Sequence, residues 1–109
     1  MGGGAKGGKP MKKQYSRDKS TCKVTFRLPA EACKGVAGVC VAGDWNGWKA
    51  EANSMKKGKD GSFSLTLALP AGAEYQFRYV ADGTWWQNDP EADRYVGNGL
   101  GEENSVVIL

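Results

Sequence analysis

The stretch "SFSLTLALPAGAEYQFRYVADGTWW" (residues 62–86) holds two alternating runs and two turns, and its reading decides the fold. Phe63, Leu65, Leu67 and Leu69 are set against Ser62, Ser64, Thr66 and Ala68. Successive side chains of a strand point to opposite faces, so this period of two describes a half-buried strand. It stops at the turn residues Pro70, Ala71 and Gly72. "EYQFRYVA" then places Tyr75, Phe77 and Tyr79 on one face and Gln76, Arg78 and Val80 on the other. Asp82-Gly83 follows, a strong hairpin signal because both central positions of such a turn need positive φ.

Outward from this pair the pattern stays β. "CKVTFRL" (22–28) alternates, "GVCVA" (38–42) is a short apolar run ending at Gly43, and "NSVVIL" (104–109) closes the chain. Only "AEACKGVA" (30–37) has room for a helical turn. Short strands separated by Gly, Pro, Asn and Asp predict an antiparallel sandwich or barrel, and the lack of a long amphipathic helix excludes a parallel α/β sheet. A seven-strand immunoglobulin-like sandwich takes ~100 residues. An all-β, immunoglobulin-like antiparallel β-sandwich is therefore the predicted fold class.

With 109 residues the chain forms one domain with a single core. Residues 1–19, "MGGGAKGGKPMKKQYSRDK", carry six Lys/Arg against one Asp and almost nothing apolar. They read as a flexible basic tail, leaving residues 20–109 as the folded domain. The folded part has nine Lys/Arg against eleven Asp/Glu, so the basic pI belongs to the tail. That balance argues against a specific nucleic-acid groove. No apolar run approaches the ~20 residues of a membrane span, and the N-terminus lacks the apolar centre of a signal peptide. Cys22, Cys33 and Cys40 are irregularly spaced and no histidine is present, which predicts reduced thiols, no metal site and a cytoplasmic protein.

The hairpin makes a finer prediction. With Asp82-Gly83 as a two-residue loop, Val80 pairs with Trp85 and Tyr79 with Trp86, and cross-strand partners share a face. Trp86 then joins the aromatic core stripe, while Trp85 faces outward beside Arg78. A longer, bulged turn exchanges the two rings. "GDWNGW" (43–48) adds Trp45 and Trp48 around an Asn-Gly turn. An outward indole near a guanidinium and polar amides suits a sugar, whose C–H face packs on the ring while its hydroxyls are hydrogen-bonded.

Other chemistry is poorly supported. "NDPEAD" (88–93) gathers three acids but lacks the Gly and Glu of a calcium loop. Glycoside hydrolysis needs two carboxylates ~5–10 Å apart across a cleft, and nothing in the strand pattern sets two acids against each other. There is no general-base histidine and no Gly-x-Ser-x-Gly.

"VCVAGDWNGW", "YQFRYVADGTWWQNDP" and "GLGEENSVVIL", in this order, resemble carbohydrate-binding module family 48, over about residues 20–109. That family includes the glycogen-binding domain of the AMP-activated protein kinase β subunit and the N-terminal early-set domains of isoamylases and branching enzymes. The resemblance implies an early-set β-sandwich that binds α-1,4-linked glucan without catalysis, alongside a glycogen- or starch-metabolising enzyme. It also implies a platform of two tryptophans. Trp48 matches the first, and Trp45 falls at a buried aromatic position. Arg78 matches the basic residue, Asn104 the asparagine, and Leu100 a leucine that presses on the sugar chain. The second platform ring matches Trp85 counted from Asp82-Gly83 but Trp86 counted back from Asp89-Pro90, because this chain is one residue longer there. The hairpin geometry favours Trp85. Glu102 departs from the kinase domain, which has a small hydroxyl residue at that place. The alternative reading is a regulatory or protein-interaction sandwich with a vestigial sugar site.

Overall fold

The computed structural model describes residues 11–109. Nine strands follow one another: β1 (Lys12–Tyr15), β2 (Thr21–Leu28), β3 (Val39–Gly43), β4 (Lys56–Lys57), β5 (Phe63–Pro70), β6 (Glu74–Ala81), β7 (Trp85–Gln87), β8 (Arg94–Gly97) and β9 (Glu103–Ile108). Single 3-10 turns occupy Ala30–Ala32 and Asp44–Asn46. One sheet has the order β1-β2-β5-β4, and the other has β3-β6-β9-β8 with β7 on β6. All pairings are antiparallel. This is the predicted all-β sandwich, and its first sheet and β3-β6-β9 reproduce the ABED and CFG orders of the immunoglobulin fold. Among the described residues no helix is long and apolar enough to cross a membrane.

The core forms where the alternating faces meet. Cys22, Val24, Phe26 and Leu28 from β2 pack with Phe63 and Leu69 from β5 against Val39, Val41, Phe77, Tyr79 and Val107 of the second sheet. Trp45 closes one end, with its ring 5.2 Å from Phe26 and 6.2 Å from Tyr75. Burying these rings and aliphatic chains supplies most of the driving force for folding.

Two expectations change. Residues 12–15, placed in the flexible tail by composition, form β1 and pair with β2 from Lys12↔Thr25 to Tyr15↔Cys22, with Met11 buried. Backbone pairing on a sheet edge needs no apolar alternation, which is why composition missed it. The expectation for residues 1–10 lies outside the described residues. The hairpin register also differs: Ala81 pairs with Trp85, Val80 with Trp86 and Tyr79 with Gln87.

The hairpin keeps its left-handed turn, with φ of 51° at Asp82 and 77° at Gly83. Thr84 closes that turn by donating its N–H to the Ala81 carbonyl (3.2 Å), and it is the extra residue before pairing starts at Trp85. The turn is also gripped from outside. The Asp82 carboxylate accepts the backbone N–H groups of Ala37 (2.9 Å) and Gly38 (3.0 Å), while the Asp82 N–H reaches the Gly38 carbonyl (2.8 Å).

β7 and β9 share one edge of β6 in succession, because β3 takes the opposite edge at Phe77 and at Tyr79. The seam between them is fastened by side chains. Asn88 donates to the Glu103 carbonyl (2.9 Å) and accepts from the Ser105 hydroxyl (2.7 Å), which itself accepts the Asp89 N–H (2.8 Å). The segment after the second 3-10 turn covers the free edge of β3, through Val41 N–H to the Asn53 carbonyl (2.9 Å) and Met55 N–H to the Val39 carbonyl (2.8 Å).

Candidate functional site

The outer face of β6 carries Gln76, Arg78 and Val80, as alternation required, and the bulged hairpin brings Trp86 onto it. Trp86 lies beside Trp48, with ring centroids 6.5 Å apart and planes 28° from parallel. The Arg78 guanidinium sits 5.5 Å over the Trp86 ring, within cation–π range. Trp48, Arg78, Thr84, Trp86, Asn88, Glu102 and Glu103 line an open groove of about 600 Å³.

Trp48 is held in place by local geometry. Its φ of 61° is left-handed, which costs a residue with a Cβ ~1–2 kcal/mol. The Trp48 N–H compensates by reaching the Gly43 carbonyl (3.0 Å) and the Asn46 side-chain oxygen (3.1 Å). The Asp44 carboxylate then accepts the Trp48 indole N–H (3.0 Å) with one oxygen and the Gln76 backbone N–H (2.8 Å) with the other. One carboxylate thus ties the loop ring to the central strand. Gly43 is required at the start of this loop, because a Cβ there would meet the Trp45 ring at 2.6 Å and the Gln76 carbonyl oxygen at 2.7 Å.

The predicted residues do not all meet in one place. Trp48, Arg78 and Trp86 meet in the groove. Trp85, placed beside Arg78 by the two-residue turn, lies on the other side of β7 with Ala81 and is 55 % exposed at the end of the sheet. The bulge at Thr84 is the physical reason, and it also accounts for the one-residue ambiguity of the motif: Trp86 keeps its spacing to Asp89. Asn104 is 92 % buried beside the groove rather than lining it, and donates to the Gln76 side-chain oxygen (3.0 Å). Leu100 is 84 % exposed at the tip of the loop joining β8 to β9, which Asn98 organises by accepting the Leu100 N–H (2.8 Å). Trp45 is packed on the core, as expected, and donates its indole N–H to Asn53 (3.0 Å).

Sequence reasoning missed Asp44 and Asn88. The period of two running from Trp86 through Asn88 could have placed Asn88 on the groove side. No local pattern announced the reach of Asp44 across to Gln76.

Charge in the groove is largely paired. Arg78 Nη1 donates to Glu102 Oε1 at 2.9 Å. Arg78 Nε and Asn104 Oδ1 are the two buried side-chain polar atoms among the described residues without a hydrogen-bond partner. Such atoms are rare, and each calls for a partner the protein does not itself supply, an ordered water or a ligand. Beneath the groove, the Asp89 carboxylate accepts the Tyr79 hydroxyl (2.6 Å) and the Glu91 N–H (2.7 Å). Burial pushes the Asp89 carboxyl above its ordinary value, and burial with the nearby Asp89 charge raises the Tyr79 phenol well above its own. Asp93, the third acid of "NDPEAD", instead pairs with Lys13 at 2.7 Å.

The model of the glycogen recognition site of AMP-activated protein kinase matches residues 31–107. Comparison with curated protein sequences gives no match. The matched span contains β3 through most of β9, the whole groove and the loop that carries Leu100. With this span, an antiparallel sandwich and paired indoles beside a guanidinium on one face, the chain belongs to the family of the glycogen recognition site of AMP-activated protein kinase, a carbohydrate-binding and generally non-catalytic family.

Proposed function

We propose that the groove binds α-1,4-linked glucan, as in glycogen, starch or maltodextrin, by stacking sugar rings on Trp48 and Trp86. The observation that carries this reading is the pair of near-parallel indoles with a guanidinium over one of them. The apolar C–H face of a glucose ring fits such a surface, and Arg78 and Asn88 supply hydrogen bonds to hydroxyls at its margin. Asn104 acts from behind, steadying Gln76, and Leu100 extends the surface as an outer apolar contact. Glu102 and Glu103 are sequence neighbours on one rim, which does not suit the opposed acids of a glycosidase, so the role is recognition. Such a module serves a glycogen- or starch-metabolising partner enzyme by keeping it on its polymer.

An open groove buries little of its ligand, so short maltodextrins are expected to bind in the micromolar-to-millimolar range. The test is a heteronuclear NMR titration with β-cyclodextrin that follows the four indole N–H signals. Shifts at Trp48 and Trp86 with Trp45 and Trp85 quiet support the reading. Silence at millimolar ligand on a folded protein rejects it and returns the groove to protein interaction.

A further inference from the structure

We propose that Glu102 is a specificity-determining residue that makes the groove select neutral sugars over anionic ones. The inference rests on the glucan reading above and concerns what that site rejects. Three charged side chains line the groove: Arg78, Glu102 and Glu103. The Arg78 side chain is only 17 % exposed and its guanidinium is committed to Glu102 at 2.9 Å. The single cation of the lining is therefore neutralised, and the rim is left with an excess carboxylate.

The pair joins a largely buried guanidinium to a carboxylate that is 64 % exposed at the rim. Trp86 fixes the guanidinium from one side, at 5.5 Å. The backbone of Glu102 is anchored at the base of its loop, its carbonyl accepting the Asn98 N–H at 2.9 Å. A neutral hydroxyl can accept from a remaining guanidinium N–H and donate to the Glu102 carboxylate at once, leaving the pair intact. A phosphate ester has no such option. It can accept from the same guanidinium N–H, but an ionised phosphate has no hydrogen to donate to the Glu102 carboxylate and sets its negative charge against Glu102 and Glu103, so repulsion replaces the second hydrogen bond.

The experiment compares β-cyclodextrin with β-cyclodextrin carrying a phosphate at every 6-position, so that no neutral unit can be presented instead, at fixed salt, on the wild-type chain, Glu102→Gln and Glu103→Gln. Glu102 is exposed, so the substitution leaves the core untouched. The wild type is expected to prefer the neutral ring by about tenfold or more, the scale of one unscreened charge contact at a partly solvated site. Glu102→Gln, which frees Arg78 to meet the phosphate, is expected to bring the preference below about threefold. Glu103→Gln retains most of it. Equal binding of the two rings by the wild type overturns the proposal, as does a preference that Glu102→Gln leaves unchanged. An equal drop in Glu103→Gln also overturns it, by assigning selection to net rim charge. Failure of the neutral ring to bind at all removes the glucan reading and this proposal with it, whereas the other failures leave that reading standing.

Discussion

Replacing Asp44 with alanine removes two hydrogen bonds from one carboxylate, to the Trp48 indole at 3.0 Å and to the Gln76 backbone at 2.8 Å. Bonds to a charged acceptor contribute about 1.5–3 kcal/mol each when buried. Asp44 is exposed and Trp48 half-buried, so the indole bond belongs below that range, while the Gln76 N–H sits on the central strand and is harder to re-satisfy. The combined cost is about 2 kcal/mol. At roughly 4–8 °C per kcal/mol for a domain of this size, the melting temperature is expected to fall by roughly 8–16 °C. Asp44→Asn keeps one acceptor oxygen and is expected to lose about half as much. Trp48, released from its tether, must be reordered by the ligand at ~0.5–1.5 kcal/mol, which weakens β-cyclodextrin binding roughly two- to thirteenfold. The assays are thermal unfolding by circular dichroism and the Trp48 indole resonance with and without ligand. A variant that melts with the wild type and keeps the indole signal in place would show that the carboxylate bridge does not position the ring.

Trp86→Ala is expected to abolish measurable β-cyclodextrin binding, while Trp85→Ala binds within about twofold of wild type because its ring lies off the groove; calorimetry distinguishes the two, and the reverse result refutes the bulged register. Deleting Thr84 shortens the turn to Asp82-Gly83 without changing the Ala81↔Trp85 pair, so the same two indoles should respond to ligand in NMR; a response moved to Trp85 counts against it. Gly43→Ala forces a Cβ into the Gln76 carbonyl and the Trp45 ring and is expected to cost about 1–3 kcal/mol in urea unfolding; a neutral substitution refutes the close approach. Asp89 has a folded pKa raised above 3.8 by burial, so the folded state holds its proton more tightly than the unfolded chain. Its contribution is greatest below 3.8 and is lost as pH rises through the displaced value, so wild type should lose stability relative to Asp89→Asn as pH climbs above about 4. A pH-independent difference between the two refutes that sign.

The alternating runs of β2, β5 and β6 were legible because each buries one face, and burial writes a period of two into the sequence. β1, β4 and β8 were not: "KKQY", "KK" and "RYVG" sit on or near sheet edges, where backbone pairing needs no apolar pattern. Trp48 and Arg78 were found from residue type and spacing. The choice between Trp85 and Trp86 was beyond local reasoning. Asp-Gly sets the turn, but the residue at which pairing resumes is fixed by the grip of residues 37–38 on Asp82 and by the Asn88–Ser105 seam, both distant in sequence. Distant partners also hid Asp44, whose second bond crosses 32 positions.

The margins of the two sheets bear on crowding. β1 and β4 end the first sheet with Lys12, Lys13, Lys56 and Lys57, β4 is only two residues long, and the free side of β3 is occupied by Asn53 and Met55. Each device denies a neighbouring molecule a row of open backbone groups to pair with. A ligand made of repeating sugar units gathers many copies of its binder along one chain, at local concentrations where exposed strands would fuse into aggregates. Blunted margins are what a carbohydrate-binding domain needs if copies crowded along one polymer are to stay separate molecules.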